Sequence, residues 1–265
     1  MICIPSLFNY LYFLMKISII TVAYNSASTI RDTIESVLAQ TYQDIEYILV
    51  DGDSYDNTLA IIKEYEPKFD GRLRWVSAKD KGIYDAMNNG LAIATGDVVA
   101  ILNSDDVYCD ACALEKVVSV FDKHEQLDSV YADMVYVSHD DTSRIVRRWT
   151  TGLQRPFRSG WHPAHPTMFI KRELFATYGN YNLEFKLASD FELMLRFLEK
   201  HKMSTYYLKE TLVSMRLGGA SNKNLRNILS QNIECVRAFR INGLKVNPIL
   251  YPWFRILPKL LQFVK

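Results

Sequence analysis

Asp105 and Asp106 are adjacent carboxylates closing the run Leu102-Asn103-Ser104-Asp105-Asp106, which follows directly on an apolar, branched stretch bounded by Gly96. Such a stretch, 97–102, predicts a buried strand. Acidic groups at the C-terminal end of a strand of that kind lie where open α/β sheets bind ligands. Neighbouring like charges repel unless a cation stands between them, and a divalent ion holding a diphosphate meets that need. The competing reading is a solvated loop. Asp51, in Asp51-Gly52-Asp53-Ser54, fits an Asx turn, and Asp190, in Ala188-Ser189-Asp190-Phe191-Glu192, fits a helix N-cap. His162 and His165 flank two prolines in Trp161-His162-Pro163-Ala164-His165-Pro166, a spacing suited to a rigid loop more than to a pair of metal ligands.

The elements that must hold these residues follow from periodicity. A buried strand over 16–24 ends at Asn25; Ser28 is expected to cap a helix whose Ile30, Ile34, Val37 and Leu38 share one face. A second strand over 46–50 runs into the Asp51 turn, followed by a helix near 58–65 and a strand near 73–76. The next helix, 82–94, has Tyr84 and Met87 as core residues, Asp85 and Asn88 on its outer face and Gly96 as its terminator. This alternation predicts a mostly parallel sheet with helices on both faces. Past Ala111 we expect a helix at 113–123, a strand at 129–137 and a long irregular segment over 144–166. An amphipathic helix over 189–200 turns Phe191, Met194, Leu195 and Leu198 inward. Another covers 222–241, and Tyr251, Trp253, Phe254, Leu257, Leu260 and Phe263 with Arg255, Lys259 and Lys265 form an amphipathic, basic end.

Of the 265 residues, 49% are hydrophobic and 23% charged, as in ordinary globular enzymes. The lone Cys109-x-x-Cys112 pair argues against a zinc site, and the four cysteines show no disulfide framework. The first strand–helix turn has no G-x-G-x-x-G, which disfavours a dinucleotide enzyme. A net charge of +1 hides an asymmetry: residues 201–265 carry 11 Lys/Arg against 2 acids, residues 1–200 carry 20 against 28. With no nucleic-acid motif visible, a basic end points to an anionic membrane surface or a lipid diphosphate. Residues 1–15 are uncharged, too short to span a bilayer and without a signal-peptide pattern, so either Met15 is the initiator or 1–14 is an interfacial anchor.

TVAYN at 21–25, VDGDSYDNT at 50–58 and DKGIYDAMNNGLAIATGD at 80–97 leading to LNSDD at 102–106 resemble the family 2 glycosyltransferases of the GT-A fold. GIYDAMN, HPTMF and ASDFEL are similar to bacterial enzymes of O-antigen, colanic acid and capsule assembly, and the resemblance covers roughly 16–220. It implies a nucleotide-binding half over 16–106, an acceptor half over 107–220, and leaves 221–265 as a helical, basic, membrane-associating tail. By the same resemblance Asp106 binds a divalent metal, Mn2+ or Mg2+, and Asp105 lies toward the ribose or donor sugar. Asn103 stands where many relatives carry an acid. Thr21, Ala23, Tyr24 and Asn25 would cradle the base, Asp51 would accept a hydrogen bond from uracil, and Asp53, often Gly in relatives, would face solvent.

Asp80, Lys81 and Gly82 would contact ribose and diphosphate, with Asp85 and Asn88 lining the same cleft. Asp190 matches the general base, Glu192 being second choice. His165 would lie near the diphosphate or acceptor. Arg216, with Gly218 and Gly219, resembles a loop that closes over the donor, the alternative being a plain turn. The implied activity is inverting, metal-dependent transfer of a hexose from a UDP-sugar to a lipid-linked sugar at the cytoplasmic face of the inner membrane. The narrower form is galactose from UDP-galactose onto GlcNAc-diphosphoundecaprenol with β linkage. Rivals are a transferase loading polyprenyl monophosphate and a non-catalytic sugar-nucleotide-binding scaffold.

Overall fold

The computed structural model describes residues 15–218 and 225–261. Its first half is β1 (Ile17–Ala23), α1 (Ile30–Leu38), β2 (Ile45–Asp51), α2 (Thr58–Tyr65), β3 (Leu73–Ser77), α3 (Ile83–Ile93) and β4 (Val98–Ile101). Period-2 alternation sends β1 and β2 side chains to opposite faces. Ile17, Ile19, Tyr47 and Leu49 meet α1 and α2 through Ile30, Ile34, Val37 and Ile62. Ile20, Val22, Ile48 and Val50 meet α3 through Ala86, Met87 and Leu91. Both faces are covered, which is why these strands read as continuous apolar runs. β1 pairs parallel with β2 on one side and β4 on the other, and β2 with β3. Strand order therefore reverses between β1 and β4, and a crevice opens there beyond the strand ends.

The second half comprises β5 (Asp106–Tyr108), α4 (Ala113–Lys123), β6 (Ser129–Val137), β7 (Ile145–Trp149), β8 (Phe169–Lys171), α5 (Glu173–Tyr178), α6 (Ser189–Leu195), β9 (Thr205–Arg216), α7 (Leu225–Ile241) and α8 (Tyr251–Leu261). One nine-stranded sheet runs β3-β2-β1-β4-β8-β6-β9-β5, with β7 on β6. The expected α/β layering holds, and its parallel part is β3-β2-β1-β4 together with β6-β9. β8 is antiparallel to both β4 and β6, and β5 to β9.

Several local expectations are corrected. α1 begins after Thr29, not Ser28; Thr29 Oγ1 donates to the Ser104 carbonyl at 2.9 Å, so it ties the helix to the acidic loop. Gly96 does not end α3, whose C-cap is Ala94. A Cβ at Gly96 would lie 2.6 Å from Ser18 Oγ and 2.7 Å from the Lys16 carbonyl, so close packing demands the glycine. The segment 144–166 is not wholly irregular: it contains β7, whose alternation is obscured by Arg147 and Arg148. A turn of π-helix, 196–200, continues α6 through the helix expected there.

α7 begins at Leu225, so the expected start at Asn222 lies outside the described residues, as do residues 1–14 and Gly219. Cys235, Ala238 and Phe239 of α7 and Tyr251 of α8 join the same core as α6. Tyr251 and Arg255, from the end expected to be amphipathic and basic, are both buried. Arg255 Nη1 donates to Asn232 Oδ1 at 3.1 Å and to Cys235 Sγ at 2.9 Å.

Glu46 locks the turn that launches β4. Buried on β2, it accepts the hydroxyls of Ser18 and Thr95 and the backbone N–H groups of Thr95 and Gly96, with Lys16 Nζ 3.4 Å away. Burial alone would raise its carboxyl, but these donors outweigh that and bring it from 4.5 to about 2. A depressed folded pKa gives stability that is complete above the unfolded value and lost as pH falls through the folded one. Glu46→Ala, which strands those buried donors, should cost about 2–4 kcal/mol at pH 7. In urea titrations the variant should also lose the acid-limb slope that the parent shows between pH 4.5 and about 2.

Candidate functional site

β1, β2, β3 and β4 run parallel, so their C-terminal ends lie on one side of the sheet, where open α/β sheets bind ligands. At the end of β1, Thr21 turns inward, where its hydroxyl accepts from Tyr47 at 3.1 Å, and Ala23 is buried. Tyr24 projects into solvent with its ring edge-on to Tyr55, centroids 6.3 Å apart. Asn25 takes a left-handed φ of +50°; its N–H donates to Ser54 Oγ at 2.8 Å and its Oδ1 accepts the Tyr55 N–H at 3.1 Å. Asp51, fully buried, accepts the Ser54 N–H at 3.1 Å and hydroxyls from Ser54 at 2.5 Å and Ser77 at 2.7 Å. It makes the turn and stands at the crevice floor. Asp53 is exposed at φ +66°, as expected from a site that tolerates Gly.

Asp80 leans over Gly52. A Cβ on Gly52 would meet Asp80 Oδ2 at 2.6 Å and the Tyr24 ring at 3.5 Å, so strand ends β1, β2 and β3 converge there. Asp80 Oδ1 accepts the Gly82 N–H at 2.8 Å, and Gly82 caps α3 at φ +116°, a conformation unfavourable for side-chain-bearing residues. Lys81 is exposed, its N–H donating to Asp85 Oδ2 at 3.0 Å. Asp85 thus shapes the loop. Asn88 holds both backbone groups of Tyr181, at 2.9 and 3.0 Å.

The acidic pair sits at the end of β4, on the turn into β5. Ser104 is tied to α1 twice, through Ser26 Oγ at 2.8 Å and Thr29 Oγ1. Asp106 is fully buried, and Asn103 Nδ2 donates to its Oδ2 at 3.0 Å. Asp106 Oδ1 and Asn103 Oδ1 are buried oxygens with no hydrogen-bond partner. Burial pushes the Asp106 carboxyl well above its usual range and the adjacent Asp105 charge adds to this; Asn103 and Arg216 oppose it only in part. Burial raises Asp105 as well. Acceptor-only oxygens, crowded and starved of donors, fit a hard divalent cation. Among the described residues no group of three or more His, Cys, Asp or Glu gathers around one point, so a ligand's oxygens would have to complete the shell. Arg216 is buried beneath the pair: its guanidinium donates to the carbonyls of Asp105 at 3.1 Å and His139 at 3.0 Å, and pairs with Asp32. In this conformation it braces the acidic loop. Gly218 beyond it has φ +117°.

Asp190 stands in the first turn of α6. Tyr84, at the N-terminus of α3 and so on the same sheet edge, donates its hydroxyl to Asp190 Oδ1 at 3.0 Å. Burial and the Asp190 charge hold the Tyr84 phenol well above its ordinary value, so it remains a donor. Tyr84 stacks on Tyr181, centroids 5.9 Å apart, and His165 Nε2 lies 2.7 Å from the Tyr181 hydroxyl. Burial lowers the His165 imidazole, with Asp190 opposing, and so keeps it neutral at pH 7. Glu192 points away, into an ion pair with Arg196 at 3.0 Å and a hydrogen bond from Asn242 at 2.9 Å. His162 packs between Trp149 and Phe191.

Tyr84 packs against the same core as Met87 and Leu91, as its helical spacing predicts, but sequence reasoning missed that its hydroxyl reaches Asp190 from the first turn of α3. The structure therefore sets Asp51, Asp80, Asp105 and Asp106 at or beyond the C-terminal ends of β2, β3 and β4, links Asp190 and His165 to α3 through Tyr84 and Tyr181, and turns Thr21 inward.

The model of the family described as Glycosyl transferase family 2 matches residues 18–179. A PGL/p-HBAD biosynthesis glycosyltransferase of Mycobacterium bovis is 32% identical over 213 residues, covering 77% of this chain and 78% of the relative. The putative glycosyltransferase EpsE of Bacillus subtilis is 30% identical over 206 residues, 76% and 73% of the two chains. Among solved structures, S. aureus TarS 1-349 in complex with UDP-GlcNAc aligns with a TM-score of 0.63 at 17% identity, over 91% of this chain and 70% of that one. The mannosyltransferase PcManGT of Pyrobaculum calidifontis in complex with GDP-Man and Mn2+ gives 0.63 at 18% identity, over 90% and 67%. At such identities these two show the fold alone.

A carboxyl with a raised folded pKa gives stability present below its usual 3.8 and lost as pH rises through the folded value. An amide at this position cannot ionise, so thermal melting of Asp106→Asn in EDTA should match or exceed the parent, with the gap widening from pH 5 to pH 8. Equal loss of stability at every pH would contradict this account of the pair.

Proposed function

The chain belongs to glycosyl transferase family 2, and on that premise we propose that it moves a hexose from a nucleoside-diphosphate sugar onto a lipid-linked sugar with inversion at the anomeric carbon. The observation that carries this reading is the buried Asp106 at the end of β4, with an oxygen that has no hydrogen-bond partner, together with an Asp190 carboxylate held by Tyr84 at the start of α3. Asp106, with Asp105 beside it, would hold the divalent ion, Mn2+ or Mg2+, which as a Lewis acid takes up charge on the departing diphosphate. Neighbours of the same fold that hold UDP-GlcNAc, or GDP-Man with Mn2+, support a nucleotide-sugar donor and a metal in general.

The chain's own groups do the rest. Tyr24, Asn25 and Asp51 border the base site, and Asp80 with the Lys81 and Gly82 loop borders the ribose and diphosphate. Tyr84 engages Asp190 Oδ1 and leaves Oδ2 for the acceptor hydroxyl, whose proton Asp190 takes as that oxygen attacks from the face opposite the diphosphate. His165, neutral and linked to Tyr181, can donate or accept a hydrogen bond beside it without adding charge. UDP-galactose as donor and GlcNAc-diphosphoundecaprenol as acceptor, in surface polysaccharide assembly, is the specific form of the proposal. The relative named for PGL/p-HBAD biosynthesis supports a glycan-building role.

We place the lipid contact on α7 and α8. Leu229, Ile233, Ile249, Leu250, Trp253 and Phe254 are exposed there, around an apolar groove of about 430 Å³ lined by Ile228, Val236, Pro252 and Ile256. Arg226, Arg240 and Lys245 are exposed on the same segment. Among the described residues no helix is long and apolar enough to cross a membrane, so the contact would be interfacial.

UDP release from a panel of UDP-sugars, with a synthetic GlcNAc-diphosphate-lipid, tests the reading. One donor should give acceptor-dependent release that EDTA abolishes and that Asp190→Asn lowers by about 10²–10⁴-fold with UDP affinity retained. Near-parent turnover in Asp190→Asn would remove the base assignment, and absence of UDP binding would overturn the UDP-sugar donor. For the lipid contact, Leu229→Ser with Trp253→Ser should weaken co-sedimentation with phosphatidylglycerol vesicles by about tenfold and leave UDP binding intact.

A further inference from the structure

α7 reaches across to the loop that precedes α6 through Gln231, Glu234 and Arg237, and Glu234 alone of these takes up backbone N–H groups there. Glu234 Oε1 accepts the N–H of Lys186 at 3.1 Å, and its Oε2 accepts the N–H groups of Leu187 and Ala188, both at 2.9 Å. These are three consecutive backbone donors, and the next two residues are Ser189 and Asp190. The N-cap of α6 is Ala188, which has no side-chain acceptor of its own. A carboxylate from another helix does here what a capping Asp or Ser does locally. Successive N–H groups turned to one point form a concave anion site, and Glu234 fills it.

We infer that Glu234 is a positioning residue for Asp190: by gripping residues 186–188 it sets the depth and rotation of the first turn of α6, and so where the Asp190 carboxylate meets Tyr84 and the acceptor. The inference rests on the reading of Asp190 as the base. Two other restraints act on the same turn, Ser189 Oγ to the Asn182 carbonyl at 2.9 Å and Tyr84 to Asp190. Neither touches residues 186–188, where α7 adds one longer contact, from Gln231 Nε2 to the Leu187 carbonyl at 3.4 Å. α7 itself is held independently of Glu234 by Cys235, Ala238 and Phe239 in the core, so removing the carboxylate frees the loop without detaching the helix. Gln at 234 is not a mild replacement. Its amide keeps one acceptor oxygen and turns an N–H donor group toward backbone donors.

The test compares the parent with Glu234→Gln and Glu234→Ala, each also in the Asp190→Asn background, and with Ile241→Ala, which trims an exposed side chain at the far end of the same helix. Readouts are kcat and KM under single- and multiple-turnover conditions, UDP affinity, and amide hydrogen exchange at 186–188. Loss of base alignment should lower kcat about ten- to hundredfold, since small displacements at the reacting centre have effects of that size. Donor KM and UDP affinity should stay within about twofold, exchange at 186–188 should accelerate, and Ile241→Ala should behave as the parent. In the Asp190→Asn background the further loss should vanish, because the residue acts through Asp190. Parent-like kcat in both Glu234 variants, an undiminished loss in the Asp190→Asn background, or a parallel fall of UDP affinity overturns the inference. High turnover in Asp190→Asn alone instead overturns the base assignment on which it rests.

Discussion

Two carboxylates forced side by side at the buried end of β4 are the constraint around which this molecule is arranged. Asp106 is wholly enclosed, and burial disfavours its charge before Asp105 adds to the penalty. The protein does not relieve this with a facing salt bridge of its own. Arg216 approaches from below and directs its donors to the carbonyls of Asp105 and His139 and to Asp32, so it fixes the backbone and only partly offsets the charge. Ser26 and Thr29 hold Ser104 from the other side. The loop is held from both sides and still leaves Asp106 Oδ1 and Asn103 Oδ1 without a hydrogen-bond partner.

The opposite end of the same strands shows the contrasting solution. Glu46 is also a buried carboxylate, yet it is surrounded by donors from Ser18, Thr95 and Gly96, and its charge is stabilised. One acid completes its hydrogen bonds and anchors the start of β4; the other leaves an oxygen open at its end.

The second half of the sheet brings α6 and its acid to the crevice. β8 runs antiparallel to β4 and carries the chain from the His165 turn into the layer that ends in α6. Tyr84, Tyr181 and His165 then make a continuous hydrogen-bonded and stacked set around Asp190, assembled from α3, the loop before α6 and the turn before β8.

By itself the sequence determined the βαβ frame, the helices at 113–123 and 189–200, the strand at 129–137, and the acids at strand ends. Each of those rests on local periodicity or on a residue's place within one element. Tertiary structure alone decided which groups meet. Tyr84 and Asp190 are 106 residues apart, Arg216 and Asp105 are 111 apart, and Glu234 reaches back 46 residues to Ala188. Arg255 looks like a surface cation in an amphipathic end and is buried against Cys235 because α8 folds back on α7. β5 and β8, three residues each, are too short to show a period, and they exist only because β9 and β4 lie alongside to complete their hydrogen bonds. Spacing along a chain reports one face of one element; which donor finds which acceptor depends on packing between elements, and that is settled only when the sheet closes its two cores.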